Sequence, residues 1–120
     1  MRTSEQKLNV SLERQINDTF AQTIADLRDL GETRTFLKDF FNNSEYEAFA
    51  KRLAIAYWLK KGRSYNNIKE NLKVSSATIA SVQNMMNKSG FKLALKKMEA
   101  EEWANQWAEK IKKFTMISRH

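Results

Sequence analysis

Apolar residues recur at spacings near four at Leu12, Ile16, Phe20, Ile24 and Leu27, with Leu30 just before Gly31, and this predicts an amphipathic helix over about residues 10 to 30. Phe36, Leu37, Phe40 and Phe41 form a second apolar cluster, on a shorter helix that Asn42 and Asn43 end. Ser44 and Glu47 have the spacing of a capping box and are expected to open a third helix, with Phe49, Leu53 and Tyr57 or Trp58 on its inward side. Gly62 follows the run Ala54 to Lys61 as a helix C-cap would, and Ser64 is placed to cap the next helix by accepting a backbone N–H.

The pattern then becomes more specific. Ile68 and Leu72 stand four apart on one short helix, and Ile79, Val82 and Met86 make a matching stripe on another. Between them Lys73 to Ser75 leave room for a tight turn in which Val74 points inward, and Ser75 or Ser76 can cap the second helix. Projected at helical pitch, Ala77, Ala80, Ser81 and Asn84 fall away from the apolar stripe, on a flat face of small and polar side chains suited to a groove. Two short helices around a tight turn are the layout of a helix-turn-helix reader of DNA, although paired amphipathic helices also occur in small helical proteins of other kinds.

Asn87 to Gly90 is the first plausible hinge, and beyond it a long helix is predicted from about Phe91 to Met116. Its stripe takes in Leu95, Met98, Trp103, Trp107, Ile111 and Phe114, expected to pack on the chain's own core or across a dimer, with a protein-binding helix as the next reading. Glu99, Glu101 and Glu102 argue against a membrane-surface helix, which favours bases toward anionic lipid. There is no proline, and Gly31, Gly62 and Gly90 supply nearly all the punctuation, so the fold class expected is all-α.

Charge separates the DNA reading from the bland one. The net charge is +7, and residues 45 to 98 alone carry a balance of +8, whereas the flanking stretches are near neutral. No Asp or Glu occurs from Asn71 to Met98, where Lys73, Lys88, Lys92, Lys96 and Lys97 accumulate. A basic excess confined to the two-helix unit is what neutralising phosphates requires. Without cysteine there is no disulfide framework or thiolate metal site, no apolar run approaches a membrane span, and the polar start MRTSEQKLNVSLER lacks the apolar core of a secretory signal, so a cytoplasmic protein is expected. Enzymatic chemistry has little to stand on, since the single histidine is the terminal His120. Asp26, Asp29 and Glu32, or Glu99 and Glu102, have spacings common on solvated helices, so no catalytic residue, metal or cofactor is expected.

These residues resemble the Trp repressor family. NIKENLKVSSATIASVQN aligns with that family's reader without a gap, and Ala77 to Ile79 repeat the start of its recognition helix. SEYEAFAKRLAIAYWLKKG looks like the family's core helix, with its acidic first turn, Arg52 and the closing Gly62. The likeness runs from about Phe36 to Met86, with one residue of length difference after Gly62. It implies an intertwined helical dimer, for which the apolar stripe of residues 1–43 would supply dimerisation helices and 44–88 the core helix and helix-turn-helix; the likeness does not extend over 89–120, whose own periodicity gives an added amphipathic helix, and the length of 120 residues suits a single all-helical domain over 1–120. Two positions depart from the pattern. Ser81 stands where amino-acid-sensing members carry an arginine that frames the corepressor pocket with the one matching Arg52, and Asn42 replaces a threonine that faces tryptophan. Arg52 and Ser81 thus mark an effector pocket whose ligand, if it takes one, the sequence does not name, and tryptophan is disfavoured.

The reading that follows is a bacterial-type, sequence-specific, repressor-like DNA-binding regulator, acting as a homodimer on double-stranded DNA. Ser76, Ala77, Thr78 and Ala80 would meet base edges, the alanines and the threonine methyl suiting thymine methyls, while Lys69, Ser75, Ser81 and Asn84 complete the face. Lys60, Lys61, Arg63, Lys73 and Lys88 are the phosphate contacts, which supply affinity more than sequence choice. With no Arg or Gln near the start of the face, much of the readout would pass through water or DNA shape, a mode for which the Trp repressor itself is the standard example. The alternative is a protein- or RNA-interaction module that uses the basic face and the helix bearing Trp103 and Trp107.

Overall fold

The computed structural model describes residues 7–118, with side chains over 7–113, so His120 and the side chain of Phe114 lie outside the described residues. These residues form six helices and no strand: α1 Val10–Ala25, α2 Leu30–Phe40, α3 Asn43–Lys60, α4 Tyr65–Leu72, α5 Ser76–Met85 and α6 Ser89–Ser118. The chain is all-α, as its periodicity predicts. It divides into two compact units, residues 1–46 and 47–120, with the boundary inside α3.

In the first unit the predicted helix over residues 10 to 30 stops early. Asn9 caps α1 by accepting from the backbone N–H groups of Ser11 and Leu12, and the helix ends at Ala25. The cause lies just beyond. Asp29 is a stronger local signal than the continuing apolar period, because its carboxylate accepts the Glu32 N–H at 2.8 Å and starts α2 afresh. Gly31 therefore sits inside the first turn of α2 and is not a terminator. Phe20 of α1 meets Phe40 of α2 at 5.3 Å between centroids, and Phe36 stacks on Phe40 at 5.1 Å. Neither helix buries a residue; Leu12, Ile16, Phe20 and Ile24 remain exposed along one stripe.

The capping box predicted at Ser44 and Glu47 lies two residues earlier. Asn42 Oδ1 accepts the Glu45 N–H at 2.8 Å, and Glu45 Oε1 accepts the Asn42 N–H at 3.0 Å, satisfying two otherwise unpaired donors reciprocally. Glu47 instead pairs with Lys51 one turn on, at 3.1 Å.

The core lies in the second unit. Ile55, Ala56, Ile68, Ile79, Val82 and Leu95 are buried together, with Trp58, Leu72, Val74, Met86 and Met98 packed around them. Ile55, Ile68 and Ile79 are fully enclosed, each contributing roughly 1.5–3 kcal/mol by burial. This corrects the inward face expected of α3: Phe49 and Leu53 are exposed, and Ile55 and Ala56 take the core positions because they are the residues that α4, α5 and α6 cover. Gly62 closes α3 as expected. Its φ of +85° suits glycine, and the Arg63 N–H to Trp58 carbonyl and Gly62 N–H to Leu59 carbonyl bonds, both 3.0 Å, complete a Schellman motif. Gly90, placed at a hinge by the sequence, is the second residue of α6. No helix among the described residues is long and apolar enough to cross a membrane.

Candidate nucleic-acid interface

Local chemistry accounts for the helix-turn-helix geometry of α4, the turn and α5. Ser64 caps α4 by accepting the Asn67 N–H at 3.1 Å. The chain then turns through Lys73, whose φ of 56° and ψ of 53° are left-handed, while its N–H still bonds the Lys69 carbonyl at 3.0 Å. A side chain in that region costs roughly 1 kcal/mol, and burial of Leu72 and Val74 on either side offsets it. Val74 points inward, as the spacing predicts.

Ser75 is the cap of α5. Its Oγ accepts the Thr78 N–H at 3.1 Å and lies 2.9 Å from Thr78 Oγ1, which ties the first turn of the helix to its cap. At the other end of the unit the Tyr65 hydroxyl donates to Gln83 Oε1, bridging the start of α4 to the last turn of α5. Neither link was read from the sequence. A serine three residues before a threonine gives the first a local signal, but the second joins residues 18 apart and has none.

The exposed face of α5 is the expected one. Ser76, Ala77, Thr78, Ala80, Ser81 and Asn84 are all exposed, while Ile79 and Val82 are buried on the opposite side. The end of the helix that carries this face is electropositive. α1, α2 and α3 each have a glutamate in their first turn, but α4 and α5 have no acid there and are capped by neutral serines. Their N-terminal partial charge, about half a unit, is left unneutralised and favours an anion.

The basic side chains divide into two groups. Lys69, Lys73 and Lys88 are exposed and enter no ion pair among the described residues. Arg63 is preorganised: its guanidinium lies 3.9 Å above the Trp58 ring and donates to Asn67 Oδ1 at 3.4 Å. Stacking holds the plane of the fork and leaves its edge donors for a phosphate. Lys60 and Lys61, by contrast, turn to α6, pairing with Glu99 at 3.3 Å and Glu102 at 3.0 Å. Both pairs are two-fifths exposed, so each is weak and a phosphate can compete for the lysine. The sequence shows no sign of these pairs, which depend on where α6 lies against α3. Of the two residues at the effector position, Ser81 is exposed on α5, and Arg52 is exposed on α3 with its guanidinium 5.5 Å from the Phe49 ring centroid.

Fold and site define a helix-turn-helix protein. The model of the family described as Trp repressor protein matches residues 15–99. The chain is also 30% identical over 87 residues to the uncharacterized protein YerC of Bacillus subtilis (strain 168), an alignment that covers 71% of this chain and 84% of YerC. No solved structure matches it. The chain belongs to the Trp repressor family, a family of helical DNA-binding regulators rather than of enzymes, and the match extends beyond Phe36 to Met86 on both sides.

Proposed function

We propose that this protein is a sequence-specific, repressor-like regulator that binds double-stranded DNA as a homodimer, laying α5 of each copy in successive turns of the major groove. The observation that carries the reading is the exposed, acid-free first turn of α5, held by Ser75 and set on a buried Ile68, Ile79 and Val82 base. Ser76, Ala77, Thr78 and Ala80 meet base edges, with Lys69, Ser75, Ser81 and Asn84 beside them. Arg63, Lys73 and Lys88 bind phosphates, and Lys60 and Lys61 join them by exchanging glutamates for phosphate oxygens. The small face supports readout by methyl contacts, water and DNA shape more than by bidentate hydrogen bonds.

The homodimer is supported by the exposed stripe Leu12, Ile16, Phe20 and Ile24 on α1, which finds no core within its own unit, and by the need to read two half-sites about 34 Å apart. Residues 1–43 are accordingly the dimerisation helices and 44–88 the reader. Tryptophan is not the effector in this proposal, because Ser81 brings a hydroxyl, and no guanidinium, to the position that frames the corepressor pocket in the amino-acid-sensing members.

Selection of bound sequences from a random duplex pool tests the reading. The expected result is a two-fold symmetric consensus, bound with an affinity that falls steeply with salt. Absent or salt-insensitive duplex binding would overturn it in favour of a protein- or RNA-interaction module built on the exposed Trp103 and Trp107. Light scattering at micromolar concentration should give a dimer mass, and free tryptophan should leave thermal stability unchanged.

A further inference from the structure

Packing fixes the rotation of α6. Leu95 is buried and Phe91 and Met98 pack on the same cluster, so the stripe read from the sequence as one divides, and Trp103, Trp107 and Ile111 stay exposed. At about 100° per residue Glu99 and Glu102 stand within about 40° of Leu95, on the buried side, whereas Glu101 stands about 120° away. The core therefore aims two of the acids of this turn at the end of α3. Glu99 meets Lys60 at 3.3 Å and Glu102 meets Lys61 at 3.0 Å, while Glu101 is exposed and in no ion pair among the described residues. The second contact is the more closely built. Glu102 Oε2, the oxygen that faces Lys61, is shielded from solvent and has no other hydrogen-bond partner among the described residues, and the Lys61 ammonium also lies 5.4 Å from the Tyr57 ring centroid.

Lys60 ends α3, Lys61 follows it and Arg63 precedes the Ser64 cap of α4, so three cations share the corner between these helices. They are in different states. Arg63 lies on Trp58 with its edge donors open, but Lys60 and Lys61 already hold carboxylates. Those acids are the first to appear after a stretch, Asn71 to Met98, that has none. A phosphate that approaches either lysine must displace a carboxylate which the fold keeps at short range, and which then repels it. We propose that the Glu99 to Glu102 turn of α6 is an internal competitor for phosphate, an autoinhibitory contact that holds down the affinity of the α3–α4 corner for every duplex. It rests on the DNA reading proposed above and adds a control on its strength. An exposed pair of this kind engages its lysine roughly 60–85% of the time. Each pair thus weakens a phosphate contact about 2.5- to 6-fold, and the two together roughly 6- to 40-fold. Phosphate contacts carry no base readout, so the reduction is the same on a target and on an arbitrary duplex. Salt screens both competitors, which flattens the dependence of affinity on salt.

The test uses the full chain, a mixed-sequence duplex and fluorescence anisotropy at low salt. Glu99→Gln with Glu102→Gln should tighten binding roughly 6- to 40-fold, and Glu99→Gln alone, which releases only Lys60, about 2.5- to 6-fold. The slope of log affinity against log salt should steepen by up to about 0.9 for each lysine released, so that parent and variant converge as salt rises. Glu101→Gln with Glu109→Gln adds the same charge at exposed residues that enter no ion pair among the described residues, and should tighten binding less than about threefold. With Lys60→Gln and Lys61→Gln in place, the gain from the Glu99 and Glu102 changes should shrink to that of this control. Three results would overturn the competition and leave the DNA reading standing. One is an equal gain from Glu101→Gln with Glu109→Gln, which makes the effect one of net charge. Another is a gain that persists undiminished without the two lysines. The third is no gain at all in chains that stay helical by circular dichroism and bind duplex with a steep salt dependence. If neither parent nor variant binds duplex at any salt, the competition and the DNA reading fall together.

Discussion

Ala77→Asp separates the fold of α5 from its function, because the two effects have different sizes. Ala77 is exposed in the first turn of α5, two residues after the Ser75 cap. Within the free protein, exchanging alanine for aspartate costs roughly 0.7 kcal/mol of helix propensity. A carboxylate near the acid-free N-terminus returns about 0.3–1 kcal/mol through the helix dipole. Folding stability should thus stay within about 0.5 kcal/mol of the parent, in the range of ordinary surface substitutions. On DNA the same carboxylate faces base edges between two phosphate rows. Repulsion from two phosphates at about 6 Å comes to about 1.4 kcal/mol even at the dielectric of water. Stranding the group in the groove without a donor adds about 1–3 kcal/mol. The sum, roughly 2.5–4.5 kcal/mol, weakens specific binding by about 70- to 2000-fold. Urea melts read the first quantity, and fluorescence anisotropy on a selected duplex at fixed salt reads the second. Affinity within about threefold of the parent, or destabilisation beyond about 2 kcal/mol, would refute the assignment of this face to DNA.

Two residues along the same helix, Ile79→Ala should behave in the opposite way, removing about 2–5 kcal/mol of stability from a fully enclosed site; a loss under about 1 kcal/mol in urea would mean that the core is not centred there. Ser75→Ala should cost about 1 kcal/mol and speed amide exchange at Thr78, the donor that it leaves unpaired, and unchanged exchange would show that the cap contributes nothing. Lys73→Gly relieves the left-handed backbone at φ 56° while raising the entropy of the unfolded chain, so stability should stay within about 1 kcal/mol. The slope of log affinity against log salt should nevertheless shrink by about 0.9, and an unchanged slope would remove Lys73 from the phosphate contacts.

How legible each element was follows from the range over which its cause acts. The Ser64, Gly62 and Ser75 signals are each satisfied within five residues, and the helices they bound lie where the spacing puts them. The break between α1 and α2 was missed because the apolar period continues through Leu27 and Leu30 while Asp29 captures the Glu32 N–H and restarts the helix. The box opening α3 was misplaced by two residues because Asn42 to Glu45 and Ser44 to Glu47 have the same spacing, and only the folded backbone selects the first. At the candidate interface the exposed residues of α5 were readable from helical pitch. The stack of Arg63 on Trp58 and the bond between Tyr65 and Gln83 were not, since each needs a side chain from another helix or turn to be in place.

The sequence by itself determined the helical class, the two capped helices around Lys73 to Ser75, and the localisation of positive charge to residues 45 to 98. These follow from caps, periodicity and composition, which act over a few residues or need no coordinates at all. The tertiary structure decided which side of α6 the core covers, that Ile55 and Ala56 rather than Phe49 and Leu53 face inward on α3, and that Lys60 and Lys61 meet Glu99 and Glu102. The physical reason is that an apolar or charged side chain advertises only what it could bury or pair with. Whether it does so depends on what stands across from it, and residues forty positions away along the chain supply that.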